Sequence, residues 1–193
     1  RREMTGFGSR IGETAALLQS LATPDIVRRV ESAVDLLCRV VKERKPLLVC
    51  GNGGSASDAL HISGELVGRF LIERAPIDVI CLNANVSVLT AWSNDYDYAS
   101  VFARQVEAHG RAGGVLWGIS TSGNSGNVVS AFEAAQRLGM HTLALTGAGG
   151  GRLAAQTDVL IDVPSRSTPR IQEMHLPIYH YICEELEKRA SSI

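Results

Sequence analysis

Residues 47–65 read LLVCGNGGSASDALHISGE, and the fold turns on this stretch. Leu47 to Cys50 is a short apolar run directly after Pro46, the pattern of a strand buried on both faces of a parallel sheet. Glycines and small polar residues follow, and then a helical segment that sets His61 four residues before Glu65, on one helix face. Strand, glycine-rich turn and helix together make the repeating unit of an open α/β sheet.

The same grammar recurs along the chain. Ile77–Asn83, Gly114–Ser120, His141–Gly147 and Asp158–Val163 read as further buried strands. Helices are expected over Ser57–Phe70, over Val86–His109 with a break near Asn94-Asp95, over Asn127–Leu138, in a short piece around Leu153, and over Thr168–Arg189. Upstream, Ser9–Ala22 has helical spacing. Thr23-Pro24-Asp25 then reads as an N-cap with proline at the first helical position. Ile26, Val30, Val34, Leu37 and Val41 form one apolar stripe ending before Pro46. These elements predict one domain over 1–193, with N-terminal helices over 1–45 and a doubly wound core over 46–193. The fold class is an α/β three-layer sandwich with right-handed crossovers. The Ala15-Ala16-Leu17-Leu18 face is read as core in preference to a subunit contact.

Composition sets the outer limits. A chain of 193 residues with 45% hydrophobic residues can bury a full core, and a net charge of −1 gives no electrostatic reason for nucleic acid or a membrane surface as partner. The sequence Lys42-Glu43-Arg44-Lys45 reads as the solvated end of a helix. No apolar run is long enough to span a bilayer, and the segment near Arg1 has no signal-peptide pattern. Cys38, Cys50, Cys81 and Cys183 are dispersed in apolar segments without a CxxC pair, as expected of reduced core thiols in a cytoplasmic protein. His109 reads as a helix C-terminal dipole partner, and Trp92 and Trp117 as core.

In doubly wound sheets, ligands sit at the carboxyl ends of the strands where the strand order reverses. For the order 2-1-3-4-5, the loops at that point are GNGGSAS and STSGNSGN. The second offers Ser120, Thr121, Ser122, Asn124 and Ser125 ahead of a helix; the first offers Asn52, Gly53, Gly54 and Ser55. Backbone N–H groups, hydroxyls and helix N-termini are what a phosphoryl group needs. No Gly-Lys-Ser/Thr and no GxGxxG accompanies them, so a nucleotide is not indicated. Taken singly, each loop reads equally well as a turn whose hydroxyls cap a helix.

A second constellation lies on two helices. His61 and Glu65 share a face of the first; Gln172 and His180, on the last, are separated by about 12 Å of rise and about 80° of rotation. His175 points roughly away from Gln172, and Pro177 is expected to bend this helix. Nitrogen and oxygen donors without thiolate suit a divalent ion, zinc first. The same spacing also serves an ordinary His–Glu helix pair, and the 12 Å rise calls for a bent helix or a neighbouring subunit.

The segments GNGGSASDALHISGELVGRF, SNDY, GISTSGNSGN and STPRIQEMH leading to His180 resemble the sugar-isomerase (SIS) domain family and, within it, the phosphoheptose isomerases. The resemblance covers essentially the whole chain. It implies a flavodoxin-like fold with a five-stranded parallel sheet, a homotetramer with sites at subunit contacts, and one zinc per subunit. The implied substrate is sedoheptulose 7-phosphate, isomerised to D-glycero-D-manno-heptose 7-phosphate towards nucleotide-activated heptose for lipopolysaccharide or capsule. On that pattern Ser120, Thr121, Ser122 and Ser125, helped by Ser55, hold phosphate. Asn52, Gly53, Gly54, Asn94 and Asp95 line the sugar, and His61, Glu65, Gln172 and His180 hold zinc. Glu65 and Gln172 also approach the substrate. With these roles, Glu65 is expected to act as base and His180 as acid in an enediol isomerisation. Gly126 stands where many relatives carry proline. The alternative is a non-catalytic binding protein on the same scaffold, such as a regulator that associates with a DNA-replication initiator.

Overall fold

The structure is a computed structural model describing residues 6–190; expectations about residues 1–5 and 191–193 lie outside it. Five parallel strands, β1 (Leu47–Gly51), β2 (Val79–Cys81), β3 (Val115–Ser120), β4 (His141–Thr146) and β5 (Val159–Asp162), form one sheet in the order β2-β1-β3-β4-β5. The order reverses between β1 and β3, which are paired from Leu47–Val115 to Gly51–Ile119.

Strand alternation sends successive side chains to opposite faces, and two cores result. Leu47, Val49, Trp117, Ile119 and Leu145 face one side, packed against α2 (Pro24–Lys42), α3 (Gly54–Val67) and α7 (Thr168–Ala190). Leu48, Cys50, Leu116 and Ala144 face the other, under α5 (Val101–His109) and α6 (Gly126–Arg137). The buried strands explain the uninterrupted apolar runs of the sequence. The four cysteines are unpaired, three of them buried.

Several boundaries differ from expectation. Helix α3 starts at Gly54 rather than Ser57, because Gly53 at φ +57° turns the chain into the helix within the glycine run. The break after β2 follows Asp95 instead of preceding it. Helix α4 (Val86–Asp95) continues through Asn94, and the chain bends over residues 96–100 before α5. The piece around Leu153 is a 3-10 helix, Gly151–Gln156, and α7 runs continuously through Pro177. Thr23 precedes Pro24 as expected but makes no side-chain cap bond.

Helix α1 (Phe7–Ser20) corrects one expectation outright: it has no buried residue. Of the Ala15–Leu18 face, only Leu17 packs on the core; Ala15 and Ala16 are exposed, and Leu18 is 47% exposed. An isolated outer helix cannot bury both sides of its apolar stripe. A cleft of about 390 Å³ therefore stays open between α1, α2 and α7, walled by Leu18, Leu21, Val27 and Ile178.

Candidate active site

At the switch point β1 and β3 deliver their loops to a cavity of about 290 Å³. Asn52, Gly53, Gly54 and Ser55 come from the first loop, and Ser120, Thr121 and Ser125 from the second. Thr168 and Gln172 close it from α7. Three helix N-termini meet here: α3 starts at Gly54, α6 follows Ser125, and α7 starts at Thr168. Their free N–H groups and dipoles favour an anion. None of the lining residues is charged, so neutral donors alone supply the attraction.

The hydroxyls here are not engaged in capping. Neither Ser125, at the N-cap of α6, nor the first turn of α3 makes a side-chain cap bond. Ser120 and Ser125 instead face each other, Oγ to Oγ, at 2.9 Å. Ser122 is turned away from them: its Oγ accepts from Asn124 N at 3.1 Å, and it does not line the cavity. Gly123 forms the tight bend of this loop at φ +65°. A Cβ there would overlap the Gly150 carbonyl, while Leu153 N donates to the Gly123 carbonyl at 3.0 Å. The loop is thus fixed by its neighbour before any ligand arrives.

A pair of amides stitches the two loops together. Asn52 Nδ2 donates to Asn127 Oδ1 at 2.8 Å, and Asn127 Nδ2 returns a bond to Asn52 Oδ1 at 2.9 Å. Tyr98 Oη donates to the same Asn52 oxygen at 2.8 Å. Asn83 pins the end of β1, accepting from Gly51 N at 3.1 Å and donating to its carbonyl at 2.9 Å. Sequence reasoning took Asn127 and Thr168 only as helix starts. Asn94 and Asp95 bond one another at 3.0 Å at the exposed end of α4 and do not line this cavity within one chain.

The second constellation is gathered further along α3 and α7. One donor atom each from His61, Glu65 and His180 lie within 4.8 Å of one another. His61 Nε2 meets Glu65 Oε1 at 2.9 Å, and the His61 and His180 rings stand edge-on at 5.1 Å. His180 Nε2 is buried without a hydrogen-bond partner, an orphan that a metal ion would satisfy. Two imidazoles and a carboxylate are a donor set for zinc or a similar divalent ion. Burial, and next the neighbouring His61, lower the His180 pKa, with Glu65 partly opposing; its ring is neutral at pH 7. Gln172 is placed differently. Its amide packs on Gly54, where a Cβ would come within 2.6 Å of Nε2, two helical turns or about 10 Å from His61 along α3.

His175, on the opposite side of α7, is fully buried. Its Nε2 meets the Thr146 carbonyl at 3.2 Å, and burial lowers its pKa to about 4. It belongs to the core.

The SIS domain family matches residues 12–147. The chain belongs to the SIS-domain family. Among SIS proteins it is similar to the phosphoheptose isomerase of Crocosphaera subtropica, at 48% identity over 88% of this chain and 87% of that one. The solved phosphoheptose isomerase GmhA of Neisseria gonorrhoeae superposes with a TM-score of 0.88 at 40% identity, covering 93% of this chain and 96% of the other. The phosphoheptose isomerase of Francisella tularensis gives 0.87 at 33% identity, covering 96% and 100%. This SIS chain thus sits among the phosphoheptose isomerases in sequence and in fold. No helix among its described residues is long and apolar enough to cross a membrane.

Proposed function

We infer that the chain is an aldose–ketose isomerase that interconverts sedoheptulose 7-phosphate and D-glycero-D-manno-heptose 7-phosphate. The reading rests on one conjunction: an uncharged, hydroxyl-lined anion cavity and a His–Glu–His cluster are carried on the same helix. The likeness to phosphoheptose isomerases along nearly the whole chain supports it. The product feeds the synthesis of nucleotide-activated heptose for lipopolysaccharide or capsule.

The phosphate end falls to Ser55, Ser120, Thr121 and Ser125, with Thr168 added by its position in the cavity wall. Ser122 contributes by holding the loop through Asn124. Asn52, Gly53 and Gly54 line the sugar, and Gln172 reaches it from α7. Asn94 and Asp95 join from a neighbouring subunit. In the ketose, Glu65 takes a proton from C1 while His180 gives one to the carbonyl oxygen on C2, yielding an enediol. Glu65 then returns its proton to C2 as His180 recovers one from the oxygen on C1, yielding the aldose. His180 gives the proton from a ring N–H and recovers one in the second transfer, so the residue ends the cycle as it began.

His61, Glu65 and His180 are the residues that would hold zinc, with Gln172 as fourth donor once substrate and subunits are assembled. Bound there, zinc would supply Lewis acidity towards the substrate carbonyl. The open apolar cleft along α1 and α2 favours a homotetramer as the working form. One SIS domain spans the chain, and its free thiols suit a cytoplasmic location.

The test is turnover of sedoheptulose 7-phosphate followed by NMR, before and after chelation and zinc return. Zinc-dependent aldose signals are expected. Folded protein that binds phosphosugar but forms no aldose in either state would favour the binding-module alternative.

A further inference from the structure

We propose that Tyr179 and Asp58 are positioning residues of the metal centre: they hold the ring of His61 and select the tautomer that leaves its Nε2 free for the ion. The proposal rests on the metal reading of His61, Glu65 and His180.

His61 Nδ1 lies 2.9 Å from Tyr179 Oη, and the two rings meet edge-on at 5.4 Å. Tyr179 Oη in turn lies 3.3 Å from Asp58 Oδ1. Asp58, His61 and Glu65 follow at spacings of three and four residues, so α3 presents them on one face. Tyr179 comes from α7, next to His180, and is buried. The second Asp58 oxygen, Oδ2, is buried with no hydrogen-bond partner. A carboxylate drawn out of water to meet a single hydroxyl is costly to the fold, and the bond to Tyr179 is what it gains there.

Counting protons gives the pair its role. Tyr179 has one hydroxyl proton and two acceptors within reach. When His61 carries its proton on Nε2, that N–H donates to Glu65 Oε1 and Nδ1 accepts from Tyr179. When Nε2 gives its lone pair to an ion, the ring proton resides on Nδ1 and donates to the Tyr179 oxygen. The tyrosine proton then turns to Asp58. The ring carries one proton in both arrangements; what changes is the nitrogen that bears it and the direction in which the Tyr179 hydroxyl points. Histidine ligands are held in this way by a partner on their second nitrogen, and removing such a partner typically weakens metal binding about 10- to 100-fold.

The experiment compares metal-free wild type, Tyr179→Phe, Asp58→Asn and His61→Ala in zinc titrations against a chromophoric chelator. Imidazole 15N–1H spectra of the zinc-loaded proteins are recorded alongside. Tyr179→Phe is expected to bind zinc about 10-fold or more weakly, and the Nδ1–H signal of His61 to broaden through solvent exchange. Asp58→Asn keeps the hydroxyl and is expected to fall between that variant and wild type, so the pair remains testable if Tyr179→Phe fails to fold. Wild-type affinity and an unchanged Nδ1–H signal in both variants, with zinc lost in His61→Ala, would overturn the positioning role and leave the metal reading intact. Unchanged zinc affinity in His61→Ala would remove the metal reading and this proposal with it. A merely structural role would lower the melting temperature without moving the affinity or the signal.

Discussion

Acidification is the perturbation whose cost the structure lets one work out. His175 is sealed in the core with one nitrogen facing the Thr146 carbonyl and the other, Nδ1, buried without a partner. Facing that carbonyl makes Nε2 the protonated nitrogen, so a second proton would go to Nδ1, where nothing accepts it. Burial accordingly lowers the pKa from 6.5 to about 4, with the Thr146 bond opposing only in part. As pH falls through 6.5, the unfolded chain binds a proton at this position, while the folded chain refuses one until about pH 4. Stability therefore falls across that window as pH falls. Linkage between these two values gives a loss of about 2.4 kcal/mol from pH 7 to pH 4.5. The assay is urea unfolding at both pH values, at one protein concentration, for wild type and His175→Phe. The phenylalanine removes one of two contacts to the Thr146 carbonyl, which still accepts from Val163 N at 2.9 Å, and that loss is the same at every pH and cancels in the comparison. Wild type should lose about 2 kcal/mol more than the variant on acidification. Equal losses would refute the buried neutral ring.

Three further outcomes follow from the geometry. Glu187 is buried, accepts N–H bonds from Phe70, Leu71 and Ile72 at 2.6–2.8 Å, and lies 3.4 Å from the buried Arg74 Nε. Glu187→Ala should thus cost about 3–5 kcal/mol in urea unfolding, and a loss under 1 kcal/mol would contradict the clamp. Gly123→Ala forces a side chain into a positive-φ bend against Gly150; it should lower the melting temperature and raise KM together, and a wild-type KM would show that the loop tolerates displacement. Glu65→Gln should keep the fold and phosphosugar binding while turnover by NMR drops about 100-fold or more; near-normal turnover would remove Glu65 as the base.

Much of this was legible in the sequence because it is local. Short, uninterrupted apolar runs located all five strands, and the small polar loops after β1 and β3 marked the switch point. The glycine run hid the first turn of α3, since glycine signals a turn wherever it stands. Asn94-Asp95 looked like a break because neither residue favours helix interiors, yet the helix carries them as its final turn. Contacts between distant segments left no local trace. The Asn52–Asn127 pair joins residues 75 apart, and Tyr179 reaches His61 across 118. Helical spacing puts Gln172 and His180 about two turns apart, and α7 keeps them so by running continuously through Pro177.

The uncharged cavity has a consequence for how the substrate is recognised. A lysine or arginine would draw a phosphosugar in from several ångströms and would weaken as salt rose. Helix ends and hydroxyls exert little pull at that range; they act at contact, through orientation. Recognition at this site is consequently a matter of shape more than of charge attraction. Free sulfate and other small anions should therefore compete poorly unless they also fill the sugar end, and affinity should change little with ionic strength.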